Sequence, residues 1–493
     1  MSTTTQAQRR TGPHEAEVPG GGPANEQAAG SDAAVDADPQ RWKALGLLCL
    51  AFFMVILDSS IVVVVLPSIQ RQLGFSADQL QWVLSSYLLA FGGLLLLGGR
   101  SADLLGRRRM LIADTALFAT ASLACGLAPS PAALIGARVV EGLAAALMTP
   151  TALSLVMTTF PEGAERNKAL AVWAATGSAG ATAAWLIGGP VTSALGWEWI
   201  FFINVPIGVV TVALSPQLLA PSPAPQRSGG FDAPGAITIT LALVSLVYAV
   251  VQAPKAGWGD AQTLGLLALS VVLAGVFWVI ESRARAPLAP PRVFRSRTLA
   301  GGNLLALTLG MLAFGMPFLL TQYAQRVLGF SPLEFGLGSV VMPLGAAVGS
   351  AVGQAVVTKA GVRPVALASL VLMGAGLAVL TRVGVHDSYW PHMFLGLLIF
   401  GPGLGAGYVS ASVAALAGVS DADAGVASGL NNASFQIGGA IGVAVVSTVA
   451  VSAARALGSP AALTHGFRSG FAAAIAFAAV GLVMVTSLVG RRR

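Results

Sequence analysis

Asp58 is a carboxylate in the middle of a long apolar run of this 493-residue chain, within the segment LDSSIVVVVLP. A charged side chain in an apolar helix costs free energy, and a carboxylate that has lost its water can bind a proton and release it again. We therefore expect Asp58 to carry protons. The structural alternative is that Asp58, together with Ser59 or Ser60, hydrogen-bonds a neighbouring helix.

Arg138 and Glu141 form a second charged group, in the segment RVVEG. Their spacing of three residues places them on one face of a helix, where they partly neutralise each other. A permanently charged arginine would tune proton exchange at the carboxylate, and the alternative is a static buried ion pair. Asp114, five residues after Arg109, is expected to pair with the neighbouring basic loop.

The segment GGRSADLLGRRR combines glycines, an acid and consecutive arginines around a short turn. Gly99 and Gly106 permit close approach and bends, and Asp103 is able to pair with Arg107 or Arg108. An ion pair that forms in one conformation and breaks in another would act as a conformational latch. The alternative is that the arginines only anchor the loop at the inner membrane surface.

Small residues and aromatic residues add further candidates. Gly188, Gly189 and Pro190 end one apolar run and allow close helix packing and a kink. Three aromatic side chains could contact an amphipathic ligand or serve only in packing: Trp82, Tyr87 and Trp185.

The composition indicates the elements that must position these residues. Only 10% of the residues are charged and 55% are hydrophobic, whereas a soluble protein has about a quarter charged residues, so a water-soluble globular protein is excluded. Apolar runs of about 20 residues, the length that crosses a bilayer, predict an all-α membrane protein. There are fourteen such runs: 42–66, 80–99, 110–128, 132–156, 168–190, 198–218, 233–252, 261–280, 298–320, 335–357, 364–381, 391–416, 425–452 and 470–489.

The positions of lysine and arginine predict the orientation. Distal Arg9 and Arg10 and the intramembrane Arg138 are left out of the count. With the N-terminus inside, nineteen of the other lysines and arginines lie on the inner side and six on the outer side, which favours a cell (inner or plasma) membrane protein with both termini cytoplasmic. Composition shifts at 216–230 and 281–297 divide the chain into segments. These are a disordered cytoplasmic tail (1–40), an N-terminal six-helix bundle (41–218), a linker with two extra helices (219–297) and a C-terminal six-helix bundle (298–493).

The sequence lacks the residue patterns of ATP binding, metal binding and nucleic-acid binding. No lysine completes a Gly-x-x-x-x-Gly-Lys-Ser/Thr loop, so the chain has no such ATP site, and its histidines and cysteines show no metal-ligand spacing. The arginines lie in short loops and not along one face, so the basic excess does not indicate nucleic-acid binding. We expect no enzyme, no metal and no cofactor.

Several segments, taken in chain order, carry the signatures of one transporter family: LDSSIVVVVLP, QWVLSSYLLA, GGRSADLLGRRR, RVVEG, WEWIFFINVPIG, LGFSPLEFG and GLNNASFQIGGAIGVAV. Over about residues 42–490 the chain resembles the major facilitator superfamily, in its fourteen-helix drug/proton antiporter branch of multidrug-resistance exporters. The resemblance implies that Asp58 is the proton- and cation-responsive acid and Arg138 the coupling arginine. It also implies that Asp103 forms the latch with Arg107 and Arg108.

Three positions depart from the usual pattern of that branch. Glu141 stands where the branch usually has Gln, which adds a second titratable group. Glu198 stands where the branch usually has Arg, so the charge is reversed there. Ala184 and Trp185 occupy the place of a Gly-Pro pair.

The function implied by the resemblance is proton-coupled efflux of drugs or antibiotics, which are amphipathic or cationic small molecules, by alternating access. Protons from outside would neutralise Asp58 or Glu141, and deprotonation inside would restore a negative pocket in which substrate and proton compete. One alternative is a dedicated exporter of a single host-made antibiotic or metabolite. Another is a proton-coupled importer with the same fold.

Overall fold

The computed structural model describes residues 40–221, 232–284, 287, 296–419, 421–454 and 459–488, so the predicted tail lies outside the described residues except for Gln40. The described residues form helices and no strand, and each of the fourteen predicted runs coincides with one helix, which confirms the all-α prediction. The helices are α1 (Arg41–Leu73), α2 (Trp82–Leu105), α3 (Arg107–Gly126), α4 (Pro131–Thr159), α5 (Ala164–Leu195), α6 (Trp199–Leu218), α7 (Ala233–Ala256), α8 (Ala261–Arg283), α9 (Arg297–Arg326), α10 (Pro332–Ala360), α11 (Val362–Leu380), α12 (Tyr389–Leu416), α13 (Asp421–Ala453) and α14 (Pro460–Leu488).

Several helix starts follow from the local sequence. Ser130 precedes Pro131 at the start of α4, and its hydroxyl accepts a hydrogen bond from the backbone N–H of Ala133. Ser331 and Glu334 form a capping box at the start of α10. Such side chains satisfy backbone N–H groups that have no partner within the helix, so they fix where the helix begins.

Three of the fourteen helices are interrupted. Helix α6 consists of Trp199–Phe202 and Asn204–Leu218. Helix α10 consists of Pro332–Ser339 and Val341–Ala360, and α12 opens with the wide π-helical turn Tyr389–Phe394. Such interruptions inside a membrane bundle change the direction of side chains and are frequent at functional sites.

Thirteen of the helices in the described residues are long and apolar enough to cross a membrane. The remaining helix, α3, has 20 residues, and at 1.5 Å per residue it reaches about 30 Å, the thickness of a bilayer core. Its opening arginines and Asp114 make it less apolar than the others. The architecture is that of a multi-pass membrane protein.

The two outer sets of six helices pack in the same pattern. In the first set α1 contacts α4, α5 and α6, while α4 contacts α2 and α3, and α3 contacts α6. Adding eight to each helix number gives the contacts of the second set. There α9 contacts α12, α13 and α14, while α12 contacts α10 and α11, and α11 contacts α14. The two sets are in contact where α2 packs against α13 and where α5 packs against α10. These two contacts are equivalent, because α10 and α13 of the second set correspond to α2 and α5 of the first. Transporters built from such repeats bind substrate between the halves.

The two extra helices lie beside this assembly. Helix α7 packs against α8, α2 and α13, whereas α8 packs chiefly against α7 and buries little of its surface. The core of the protein is therefore formed by the two six-helix sets.

Candidate functional site

The guanidinium of Arg138 joins two carboxylates inside the first helix set. Its Nη1 donates hydrogen bonds to Asp58 Oδ2 at 2.7 Å and to Glu141 Oε2 at 2.6 Å. All three side chains are fully buried. Asp58 belongs to α1 and the other two residues belong to α4, so the fold brings together charges that are 80 residues apart in the chain.

Helix α2 orients the guanidinium. The Nε of Arg138 donates to the backbone oxygen of Val83 at 3.1 Å, and the ring of Tyr87 lies 4.1 Å from the guanidinium carbon. A buried cation over an aromatic face is attracted by the ring, in addition to the hydrogen bond. Arg138 therefore connects α1, α2 and α4 at one point.

Neutral polar side chains complete the surroundings of the two carboxylates. Asn204, the first residue after the interruption in α6, donates from Nδ2 to Asp58 Oδ1 at 3.2 Å and to Ser122 Oγ at 2.9 Å. The thiol of Cys125 donates to Glu141 Oε2 at 3.3 Å. The residue types and spacing in the sequence do not distinguish Asn204, Ser122 or Cys125 as site residues. For Asn204 the available signal was its place in the segment WEWIFFINVPIG.

The charges of this site do not cancel when both acids are ionised. Asp58 and Glu141 then carry two negative charges against the single positive charge of Arg138. A buried excess charge is expensive, and one proton on either carboxylate removes it. Glu141 Oε1 and Arg138 Nη2 are buried without a hydrogen-bond partner among the described residues. The arrangement can therefore take up and release a proton.

A cavity of about 730 Å³ lies between the two helix sets. It is at the end of the bundle where α1 begins and α14 ends, which we call the terminal face; the opposite end is the far face. The rings of Phe52 and Trp173 stack in its wall with their centroids 4.2 Å apart, and Tyr408 lies on the side of the second set. The volume is within the range of sites for drug-sized molecules.

Polar groups line the same cavity. Arg100 is the one charged side chain among the described residues that line it. The others are neutral hydroxyls and amides: Thr149, Ser154, Ser412, Ser428, Asn431 and Asn432. Asp58, Arg138 and Glu141 are not part of the lining, so in this conformation the charged cluster is sealed from the cavity.

The two helix sets are in close contact toward the far face. The side-chain amide of Gln325 in α9 donates to the backbone oxygen of Val64 in α1 at 2.7 Å. Gly189 and Gly336 let α5 and α10 approach so closely that a Cβ on Gly189 would lie 2.5 Å from the Pro332 oxygen. The structure thus has a cavity at the terminal face and close contacts between the two helix sets toward the far face.

Comparison with known proteins assigns the chain to a family. The sequence profile of the Major Facilitator Superfamily matches residues 48–314 and 299–493. The chain belongs to this superfamily. Among solved structures of the superfamily fold, similar ones include a bacterial homologue of the human lysosomal transporter Spinster, inward-facing and unoccupied, with a TM-score of 0.64 and 17% identity over 92% of this chain and 97% of that chain.

Several curated relatives in sequence carry names of resistance or export proteins. The puromycin resistance protein pur8 of Streptomyces alboniger is 38% identical over 460 residues, which are 92% of this chain and 91% of that protein. The cephamycin export protein CmcT of Amycolatopsis lactamdurans is 38% identical, over 87% of this chain and 88% of that protein. The multidrug resistance protein Stp of Mycobacterium tuberculosis is 35% identical, over 81% and 74% of the two chains.

The predicted latch residues of this superfamily member lie around the turn between α2 and α3. Gly99 lines the cavity, and Gly106 has a φ of +93°, which a residue with a Cβ rarely adopts. Arg107 begins α3, and Arg108 donates to the backbone oxygen of Leu219 at the end of α6 at 3.1 Å. The side chain of Asp103 is outside the described residues.

The corresponding turn of the second set repeats this geometry. Gly361 has a φ of +87°, and Arg363, the second residue of α11, donates to the backbone oxygen of Thr486 in α14 at 2.8 Å. In both sets, an arginine at the second position of the third helix therefore donates a hydrogen bond to a backbone carbonyl at the end of the sixth helix.

The other predicted site residues lie away from the cavity. Tyr87 packs against Arg138, Trp82 lies 6.1 Å from Tyr248 of α7 between ring centroids, and Trp185 packs on Phe335 toward the far face. Of the described aromatic residues, those in the cavity wall are Phe52, Trp173 and Tyr408, which the sequence analysis did not select.

The glycines of α5 face two different helices. A Cβ on Gly188 would lie 2.8 Å from Cγ1 of Ile61 in α1, whereas Gly189 faces the start of α10. Pro190 lies inside the same helix. The expected pairing of Asp114 with the basic loop is not seen, because its buried Oδ2 has no hydrogen-bond partner among the described residues.

Proposed function

We propose that this protein is a proton-driven exporter of amphipathic drugs or antibiotics that works by alternating access between its two helix sets. The observation that carries the proposal is the buried cluster of Asp58, Arg138 and Glu141, which holds one carboxylate more than it can neutralise. The names of the relatives, which are resistance and export proteins, support the direction of transport.

Proton exchange falls to the two carboxylates, because arginine keeps its charge under physiological conditions. With one carboxylate protonated, the cluster is neutral and Arg138 holds the other carboxylate. With both ionised, a net negative charge remains buried, at a cost in free energy. Protonation thus changes the free energy of the contact between α1 and α4, and we infer that this change drives the movement of the helices.

The orientation of the protein in the membrane is part of the same proposal. Both termini lie in the cytoplasm of a cell whose plasma membrane holds the protein, as the excess of lysine and arginine on that side indicates. The terminal face is then the cytoplasmic face, and its cavity is in position to receive substrate from the cytoplasm. Gly99, Asp103, Gly106, Arg107 and Arg108 act as the latch of this face when it closes.

Dye accumulation in inverted membrane vesicles, whose outer surface is the cytoplasmic face, tests the proposal. A fluorescent amphipathic dye is supplied with an imposed proton gradient, with and without an uncoupler. Uncoupler-sensitive accumulation is expected for the native protein, and its loss is expected for Asp58→Asn. Asp114→Asn is the matched control, because Asp114 is a buried acid outside the cluster. Unchanged gradient-driven transport by Asp58→Asn would remove this residue from proton coupling.

A dedicated exporter of one host-made antibiotic is the second candidate. It is favoured by relatives whose names refer to a single antibiotic, such as the tetracenomycin C resistance and export protein of Streptomyces glaucescens, 34% identical over 83% of this chain and 76% of that protein. A panel of chemically unrelated antibiotics distinguishes the candidates, since a dedicated exporter raises resistance to one chemical class.

A further inference from the structure

We propose that, within the buried cluster, Glu141 carries the exchangeable proton while Asp58 stays ionised, and that Asn204 is the positioning residue that decides between them. This inference rests on the proposed function, which makes the cluster the site of proton exchange. It assigns to Asp58 a role different from the one expected from the sequence, where Asp58 itself carries the proton.

Arg138 binds the two carboxylates in the same way. Its Nη1 lies 2.7 Å from Asp58 Oδ2 and 2.6 Å from Glu141 Oε2, and all three side chains are fully buried. Two carboxylates that share one guanidinium favour the binding of one proton, because a net negative charge otherwise stays buried. The guanidinium does not distinguish between them, so the neutral neighbours decide which carboxylate holds the proton.

Both oxygens of Asp58 accept hydrogen bonds from N–H groups. Oδ2 accepts from Arg138, and Oδ1 accepts from Nδ2 of Asn204 at 3.2 Å. Hydrogen bonds to both oxygens of a carboxylate stabilise its charged form. A proton on either oxygen would take the place of one of these donors. Asp58 is therefore held as the ionised partner of Arg138.

The two oxygens of Glu141 have unequal surroundings. Oε2 accepts from Arg138 and, at 3.3 Å, from the thiol of Cys125, which is a weak donor. Oε1 is buried and has no hydrogen-bond partner among the described residues. A buried oxygen without a partner costs more free energy when it is charged than when it is neutral. A proton at Oε1 removes the charge and leaves Oε2 free to accept from both donors.

The remaining groups beside the cluster do not add charge. In the part of the chain that the structure describes, the other titratable side chains near it are Tyr87 of α2 and Cys125 of α3. Phenol and thiol groups are uncharged near neutral pH. Helix α6 contributes the neutral amide of Asn204. The distribution of the proton therefore depends on hydrogen bonds and not on a further ion.

Release of the proton changes the contact between α1 and α4. The O–H bond at Glu141 Oε1 breaks, its electron pair stays on the carboxylate, and the proton passes to water. Glu141 then competes with Asp58 for Arg138 as a second anion, from within the same helix as the guanidinium. The bond between Asp58 and Arg138, which joins the two helices, is weakened as a result.

Infrared spectroscopy of the purified full-length chain in lipid nanodiscs tests the inference. A protonated carboxyl group has a carbonyl stretching band that an ionised one lacks, and carbon-13 in that carboxyl group shifts the band. Cell-free synthesis gives protein labelled in the side-chain carboxyl group of either glutamate or aspartate. The spectrum of Glu141→Gln is subtracted from that of the native protein near neutral pH.

We expect this difference spectrum to contain one band of a protonated carboxyl group. The band should shift when glutamate is labelled and stay in place when aspartate is labelled. A band that shifts with labelled aspartate would put the proton on Asp58 and overturn the inference. Absence of the band would overturn it as well, because Glu141 would then be ionised.

Variants assign the effect to named residues. Glu162→Gln is the control, because it removes an exposed glutamate outside the cluster, and this band should remain. Asn204→Leu removes the amide that binds Asp58, and part of the band should then shift with labelled aspartate. Cys125→Ala removes the weak donor of Glu141, and the band should shift with labelled glutamate alone. A band of Asn204→Leu without a component that shifts with labelled aspartate would contradict the positioning role of Asn204.

Transport measurements keep the inference and the proposed function apart. A band that shifts with labelled glutamate, in a protein without uncoupler-sensitive accumulation of dye, would contradict the exporter function alone. Uncoupler-sensitive accumulation by a protein whose band shifts with labelled aspartate would contradict the inference alone.

Discussion

Arg138 is the residue on which the buried cluster depends, since it is the partner of both carboxylates. Removing one partner of a buried ion pair leaves an uncompensated charge, at a cost of about 3 to 5 kcal/mol. We expect Arg138→Gln to lower the thermal unfolding temperature of the purified protein strongly. Arg138→Gln combined with Glu141→Gln should recover part of the loss, because one negative charge fewer remains buried. Equal unfolding temperatures for the single and double variants would contradict this account.

Glu141 provides a second carboxylate beside the same guanidinium. Glu141→Gln keeps the size of the side chain and a hydrogen-bonding oxygen for Arg138 and Cys125, but it removes one titratable group. We expect this variant to exchange fewer protons per transported molecule while it still transports. Proton release in weakly buffered vesicles, measured together with dye uptake, gives the ratio. A ratio identical to that of the native protein would assign all proton exchange to Asp58.

The sequence predicted the charged members of the cluster but not their neighbours. A charge in an apolar run is visible in any sequence because its cost does not depend on the fold in detail. Asn204 and Cys125 are inconspicuous in an apolar run, and only packing shows that they hydrogen-bond the carboxylates. The same limit applies to Phe52 and Trp173, since a membrane helix that is apolar all round does not reveal which face lines a cavity.

At the scale of elements, the apolar runs were sufficient to predict the fourteen helices. The interruptions in α6, α10 and α12 were not predicted, because the sequence continues to be apolar through them. The interruption in α6 lies directly before Asn204, which donates a hydrogen bond to Asp58. The repeat of the two sets is shown by the helix pairs that pack together.

The contact between α5 and α10 leads to a prediction about the far face. A Cβ at Gly336 would lie 2.7 Å from the Trp185 oxygen, so Gly336→Val should keep α5 and α10 apart. We expect efflux to fall at least about tenfold, because this face would no longer close. The control is Gly136→Val in α4, where no atom lies within 4 Å of the added Cβ. Normal efflux by Gly336→Val would show that this contact is dispensable in the cycle.

The two arginine contacts at the terminal face lead to a paired prediction. Arg108→Ala and Arg363→Ala each remove one hydrogen bond from a charged donor, worth about 1 to 3 kcal/mol when protected from water. Both should lower the unfolding temperature, and Arg363→Ala should have the smaller effect because its bond to Thr486 is exposed. Thermal unfolding of both variants is compared with that of Arg382→Ala, in the turn after α11. A decrease no larger than that of the control would mean that these bonds do not stabilise the bundle.

At the scale of the whole molecule, the orientation has a direct test. Epitope tags at the two ends of the chain should be recognised by antibody only after the cells are permeabilised, since both ends are expected in the cytoplasm. A tag inserted after Trp258, in the turn between α7 and α8, should be recognised on intact cells. Labelling of either end on intact cells would reverse the membrane orientation and therefore the side to which the cavity opens.

Helix α8 has a practical consequence for imaging this protein. A transporter that is almost entirely enclosed by the membrane offers few projecting features by which single-particle images can be aligned. The 257–260 turn projects Trp258, of which 60% is exposed, and α8 lies outside the two six-helix sets. A rigid fiducial domain fused at this turn would therefore mark the particle on one side while leaving the cavity and the charged cluster untouched.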